Sequence, residues 1–268
     1  IANAIKEIES DDQQKIDRTL IDLDGTEKKV KLGANSILAV SIAASKLAAR
    51  EKNISLFKYL GGEKANQLPI PLMNIINGGA HANNFLRIQE FMIRPDKSKT
   101  FSDALKTCFL VIHKLRFELS KKNFSLGLGD EGGYAPDLNS NEEAVKLINS
   151  SIKKAGFKPG IDVSICLDIA SNELYKNKKY SVKDHKFLST YKTQIYYETL
   201  IKKYSIKSIE DPFAEDDWQA WIEFTKNNNI QIVGDDLFVT NKERLQKGIN
   251  QKAANTILIK PNQIGTLT

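Results

Sequence analysis

Cysteine is nearly missing from this chain. Its 268 residues hold only Cys108 and Cys166, each set in an apolar run, TCFLVI and VSICLD. Both read as buried free thiols, which fits a reducing compartment, and a cytoplasmic location is the expectation. No stretch of 18 apolar residues occurs, so no membrane span is expected. No secretory signal peptide is recognisable either. A concentrated basic surface is also lacking, because the net charge of +6 comes from scattered lysines, as in KNKKYSVKDHK (176–186). Phosphate-backbone binding needs such a surface, so nucleic acid is not an expected partner. The glycine-rich segment GLGDEGGYAP (127–136) matches neither GxxxxGK[ST] nor GxGxxG, which removes a phosphate-cradling loop.

What is present is ordinary for a globular protein, with 41% hydrophobic and 27% charged residues. The length accommodates one barrel domain or two smaller domains. The first part reads as helices, with Asn35 capping a helix through SILAVSIAASKLAAREKN. Gly61-Gly62 breaks that pattern, and QLPIPLMNIINGG (67–79) is too proline-rich for helix. A boundary near residues 60–68 follows, giving domains 1–64 and 65–268. Beyond it strands and helices alternate. LRIQEFMIRP (86–95) is strand-like, 101–122 is helical, and SLGLGDEGGYAP (125–136) reads as a strand entering a tight loop. Capping boxes at Ser140/Glu143 and Thr240/Glu243 open two helices, and Gly156 closes the first. The alternation implies a parallel sheet with helical crossovers.

Four short apolar runs in this part each end in a charge: SICLD at Asp168, KSIE at Glu210, QIVGD at Asp235 and TILIK at Lys260. Their separations are 42, 25 and 25 residues (210−168, 235−210, 260−235). A spacing of about 25 suits one strand, one helix and two loops, and parallel barrel strands bring such ends to one face. Taken singly, each acid reads as the first polar residue of a loop, capping a helix or forming an ion pair. Three in register followed by a lysine read as a Mg²⁺ site of hard oxygen ligands beside a basic group. An apolar setting for Lys260 would favour its neutral form, which can take a proton from carbon. Its plainer role is a structural pair with Asp235. Gly turns in INGGAHANN and GLGDEGGYAP present His81 and the pair Asp130–Glu131, while RIQEF presents Gln89 and Glu90. His113, mid-helix, and His185, in a lysine-rich loop, receive no role.

NGGAH (77–81), IQEFMI (88–93), GDEGGYAP (129–136), LDIASNELY (167–175), SIEDPFAEDDW (208–218), VGDDLFVTN (233–241) and LIKPNQIGT (258–266) resemble the signature segments of the enolase family, in order along nearly the whole chain. The resemblance implies an α/β fold, a TIM-like barrel that is incomplete here, its last strands missing, preceded by the helical remainder of a small α+β domain. It implies reversible dehydration of 2-phosphoglycerate to phosphoenolpyruvate. It makes Asp168, Glu210 and Asp235 ligands of Mg²⁺, and Lys260 the base at C2. Glu131, with Glu90 beside it, assists departure of the C3 hydroxyl, and Gln89 and His81 lie on the substrate side. Sites of that superfamily pair a Lys or His base with Mg²⁺ ions that stabilise an ene-diolate.

Arg87 and Asn172 depart from the family pattern, as does the basic net charge. The family's early serine ligand, late His, Arg-Ser pair and second Lys are not in this sequence. The chain starts inside a helix and stops after a motif, so a partial chain is expected, inactive and poorly stable by itself. A homodimer or larger homo-oligomer is the expected assembly. The alternatives are another Mg²⁺ enzyme of the superfamily, whose Lys-x-Lys pair is replaced here by GDEGG, and a non-catalytic scaffold or surface-binding role.

Overall fold

A computed structural model describes all of residues 1–268. The chain divides into two compact units, one of residues 1–68, 239–242 and 259–268, the other of residues 69–238 and 243–258.

The first unit is helical: α1 (Ala2–Ile5), α2 (Gln13–Asp24), α3 (Ala34–Glu51), α4 (Leu56–Gly61) and a last short helix, α10 (Pro261–Ile264). Asp12 caps α2 by accepting from the Lys15 N–H, and Gly25 ends it in the left-handed region at φ 66°. Helix α3 starts one residue before the expected cap, behind Gly33 at φ 83°, so Asn35 lies inside the first turn. Ile16, Leu20 and Ile37 form the small core. Beside it a polar seam joins α2 to α3. Gln13 Nε2 donates to Asp17 Oδ1 at 2.9 Å and to Ser41 Oγ at 3.0 Å. The buried Asp17 also accepts from the Thr268 N–H at 2.9 Å.

The second unit is built on a six-stranded sheet. Its strands are β1 (Met73–Asn77), β2 (Glu90–Arg94), β3 (Ser164–Asp168), β7 (Ser208–Glu210), β8 (Gln231–Gly234) and β9 (Thr256–Ile257), in that spatial order. The sheet is not closed, and β1 and β9 are its edges. The expectation of a wholly parallel sheet needs correction. The β1–β2 and β2–β3 pairs are antiparallel; only β3, β7, β8 and β9 run parallel. Chain parity explains it. The connection from β1 to β2 holds only a three-residue turn of helix, Gly79–His81, and no crossover helix, so the chain comes back antiparallel. Two helices, α5 (Phe101–Lys121) and α6 (Asn141–Lys154), separate β2 from β3, so the chain returns reversed. Each later parallel pair is joined through one long helix: α7 (Thr190–Tyr204), α8 (Trp218–Asn227) or α9 (Lys242–Gln251).

Several local expectations shift for physical reasons. Residues 125–136 form no strand, only isolated bridges of Tyr134 to Ile76 and Leu128, because their glycines are spent on close loop contacts. The lysine-rich stretch is an antiparallel three-stranded sheet, β4 (Tyr175–Lys176), β5 (Lys179–Lys183) and β6 (Lys186–Ser189). Ser140 does cap α6, but Glu143 reaches back to the Asn139 N–H at 2.9 Å, not to Ser140. Gly156 follows α6 at φ 91°. Helix α9 begins at Lys242, so Thr240 is not its cap; its hydroxyl serves the Lys260 N–H instead. The core is dense with aromatics: Tyr180, Tyr197, Phe213 and Phe224 meet edge to face, with centroids 5.5–5.9 Å apart, beside fully buried Trp221. Cys108 and Cys166 are buried free thiols, pushed up by burial to about 11 and about 12. No helix is long and apolar enough to cross a membrane.

Helix α6 is tied to α7 by Glu142, whose carboxylate accepts from Lys203 Nζ at 2.6 Å and from the Tyr204 hydroxyl. Lys203 first, then Tyr204, hold its carboxyl down at about 2. A depressed carboxylate adds stability above its unfolded value and loses it as pH falls through the folded value. Glu142 is one-third exposed, so screening limits the effect. Glu142→Gln should cost about 0.5–1 kcal/mol near neutral pH, with the difference fading as pH falls toward about 2. Urea melts of both forms across that range test this; a difference that stays constant with pH would contradict it.

Candidate active site

Register places the nominated acids in one line across the sheet. Asn77 pairs with Glu90, Glu90 with Asp168, and Asp168 with Glu210. Antiparallel β2 begins where β3 and β7 finish, so the first residue of one strand meets the last residues of the others. Asp235 follows the end of β8 directly. Cross-strand partners in register share a face. Three carboxylates therefore crowd one end of the sheet.

Hydrogen bonds fix the row. Gln89 Nε2 donates to Asp168 Oδ2 at 3.2 Å, and the Ala170 N–H donates to Asp168 Oδ1 at 2.9 Å. Ala170 holds the left-handed conformation at φ 48° to make that turn. Glu210 is raised far above the usual carboxylate range, first by burial and then by the like charges of Asp168, Asp211, Asp235 and Glu90. Such a concentration of negative charge calls for protons or a cation.

Asp211 is the residue that sequence reasoning missed. It is buried, sits at φ 41°, and accepts from the Asp235 N–H at 3.0 Å and the Asp236 N–H at 2.8 Å. Its carbonyl accepts from the Ser171 N–H. Burial pushes its carboxyl up to about 8 against the pull of those amide donors. Asp211 thus pins the loop carrying Asp235 to the end of β7. The available signal was the Pro212 that follows, since the residue before proline is conformationally restricted. Asp211, Asp235 and Asp236 offer carboxylate oxygens within 4.8 Å of one another, a set of hard donors that fits a divalent cation.

Two glycine loops close over this end. Asn77 Oδ1 accepts from the Gly133 N–H at 2.9 Å, and the His81 carbonyl accepts from the Asp130 N–H at 3.1 Å. A Cβ on Gly129 would stand 2.6 Å from both Asn77 Cβ and the His81 carbonyl oxygen, and one on Gly133 would stand 2.6 Å from Asn77 Oδ1. Only glycine lets the loops meet. Their meeting brings His81 Nδ1 to 3.8 Å from Glu90 Oε1 and 3.9 Å from Glu131 Oε1. Gln89 lines an adjoining cavity of about 220 Å³ with Gly79, Arg87, Ala170 and Glu173.

Both departures from the family pattern have partners. Arg87 turns away from the acids: its Nε donates to the Ser181 carbonyl at 3.0 Å and a terminal nitrogen to Ser181 Oγ at 2.9 Å. Asn172 ties three loops together, donating to Asp236 Oδ2 and Glu215 Oε2 and accepting from the Glu215 N–H. Lys260 differs from its expected setting. Strand β9 ends at Ile257, and Lys260 is an exposed residue of the other unit, preceding Pro261 at φ −121°, ψ 101°. Proline forces that extended backbone on the residue before it. The Lys260 N–H donates to Thr240 Oγ1 at 2.9 Å.

Asp211→Ala should orphan the buried Asp235 amide, at a cost of about 1–3 kcal/mol, and the partly buried Asp236 amide, at a smaller cost. Hydrogen exchange at Asp235 and Asp236 should accelerate while amides in β2 and β3 stay protected. Unchanged exchange at those two positions would remove Asp211 from this role.

Comparison with known proteins agrees with this architecture. Residues 65–268 match the family model described as Enolase, C-terminal TIM barrel domain, and residues 1–60 match Enolase, N-terminal domain. A curated relative, "Enolase" of Pelagibacter ubique (strain HTCC1062), is 58% identical over 258 residues, covering 96% of this chain. That alignment covers 62% of the relative, so the chain spans less than two thirds of its length. The order of the motifs, the open α/β sheet and these matches together show that the chain belongs to the enolase family.

Proposed function

We propose that this chain carries the metal-binding and proton-transfer half of a 2-phosphoglycerate dehydratase site. The observation that carries the reading is the in-register row Glu90–Asp168–Glu210, with Asp235 at the next strand end, in a chain of this family. Asp168, Glu210 and Asp235 would hold Mg²⁺, consistent with a set of hard oxygen donors whose mutual repulsion a divalent cation relieves. A bound Mg²⁺ supplies positive charge for substrate carboxylate oxygens as they take up negative charge.

The residues of the chain divide the proton transfers between them. A proton beside a carboxylate is very weakly acidic, so its removal needs a placed base. Lys260 Nζ accepts that proton from C2 of 2-phospho-D-glycerate. Glu131 gives a proton to the C3 hydroxyl, which departs as water and leaves the C2–C3 double bond of phosphoenolpyruvate. Glu90 shares the acid network with Glu131, and His81 and Gln89 border the substrate. In the reverse direction the same two groups exchange roles. A homodimer or larger homo-oligomer, working in the cytoplasm, completes the reading. The alternative of a non-catalytic scaffold predicts that none of these side chains matters for turnover.

The chain covers 62% of the Pelagibacter relative, so a chimera completed from that relative is the informative vehicle. It should form phosphoenolpyruvate, followed by ultraviolet absorbance, while the 268-residue polypeptide alone should be silent. In the chimera, Lys260→Ala should lower kcat by about 10²–10⁴ and leave Mg²⁺ affinity unchanged. Turnover that survives Lys260→Ala, or an active 268-residue polypeptide, would contradict the reading.

A further inference from the structure

Folding gathers the lysines that the sequence spreads along residues 176–186. Strands β4, β5 and β6 with their turns, residues 175–189, hold five lysines and one aspartate, a net +4 (5−1) of the chain's +6. Two pairs of these lysines stand directly opposite each other in the ladder, Lys176 with Lys179 and Lys183 with Lys186. Like charges in direct register destabilise a sheet, so each pair needs a reason. Lys183 has one, since its Nζ lies 5.7 Å from the centre of the Tyr196 ring. The side chains of Lys176 and Lys179 make no ion pair, hydrogen bond or ring contact.

The backbone is strained at the same end. Asn177 and Lys178 form the two-residue turn between β4 and β5, with φ 51° and 59°. Such a turn suits Asn and Gly, and a lysine at positive φ is uncommon. Beside the turn, a cleft of about 380 Å³ is lined by Lys176, Asn177, Lys179 and Phe187. Ser189 pairs with Lys179, and Phe187 lies two residues before it, so these residues share the outward face. Phe187 is 53% exposed there. Ser189 also caps the 15-residue helix α7, whose positive end therefore adjoins Lys179.

We propose that this cleft binds a nucleoside phosphate, with the phosphate on Lys176 and Lys179 and the base on Phe187. A phosphate neutralises the two opposed ammonium groups that the fold leaves uncompensated. The Asn177 amide supplies a donor and an acceptor beside them, and an exposed ring offers stacking to any base. The volume suits one small molecule. The next lysine pair stands four residues (183−179) along β5, roughly 13 Å away at about 3.3 Å per residue, and Lys183 leans on Tyr196. No continuous basic groove for a strand of nucleic acid results. The cleft contains none of the residues proposed for dehydration, so it does not rest on that reading.

Calorimetric titration with ADP of the chimera completed from the Pelagibacter relative tests this. EDTA in the buffer keeps any metal bridge at the acidic row out of the measurement. One equivalent of ADP should bind, less tightly as salt rises, and inorganic phosphate should bind at least roughly fivefold more weakly. Lys176→Gln and Lys179→Gln should each weaken ADP binding roughly tenfold, and Phe187→Ala roughly fivefold or more. Unliganded Lys176→Gln should melt no lower than the parent chimera, because it loses a like-charge contact and not a support. No binding of ADP, binding that survives both lysine substitutions, equal affinity for phosphate and ADP, or a melting temperature lowered by Lys176→Gln would each overturn the proposal. A single-stranded oligonucleotide bound far more tightly than ADP would also overturn it, by assigning the surface to nucleic acid.

Discussion

Like-charge repulsion at one end of the sheet is the constraint around which the second unit is arranged. Glu90, Asp168 and Glu210 occupy consecutive register positions, and Asp235 follows the next strand. Burying one carboxylate is costly, and burying several side by side is costlier, unless protons or a cation offset the charge. The Glu210 carboxyl is raised accordingly, with burial as the largest cause and four neighbouring acids behind it. Nothing in folding alone favours such a row. Its persistence is intelligible as a device for holding positive charge.

The rest of the unit reads as support for that row. Antiparallel β2 presents the beginning of a strand where its neighbours present their ends, which adds Glu90 to the line. Gln89 and the Ala170 amide fix both oxygens of Asp168. Asp211 fixes the loop of Asp235 through two amides, and Asn172 ties that loop to two others. The glycines at 129 and 133 let a second loop dock on Asn77, and this brings His81 and Glu131 toward Glu90. This end is thus built of loops anchored to a rigid sheet, a common division of labour in folds of this kind.

Much of this was legible in the sequence, and the limits have physical causes. The strand ends at Asp168 and Glu210 follow from apolar runs closed by a charge, and both runs form strands that finish on those residues. The helices announced by Ser140 and by the periodicity of 101–122 are present as α6 and α5. Strand direction was not legible, because antiparallel β2 is buried through its middle like its parallel neighbours and reads as the same continuous apolar run; direction depends on how many helices separate two strands. The setting of Lys260 was misread because TILIK looks like one strand, whereas pairing stops early and Pro261 dictates the backbone of Lys260. Asp211 escaped notice since an acid after a strand-ending acid looks like a loop residue. Its importance lies in two long-range amide bonds that no local pattern reveals.

The central claim is that the acidic row exists to hold a divalent cation. Calorimetric titration of the chain with Mg²⁺, beside Asp168→Asn and Asp235→Asn, addresses it most directly. The account predicts one saturable binding event, weakened by more than roughly tenfold in each variant because each loses an ionised oxygen donor. Mg²⁺ binding of equal strength in all three proteins, or none in the unaltered chain, would contradict it.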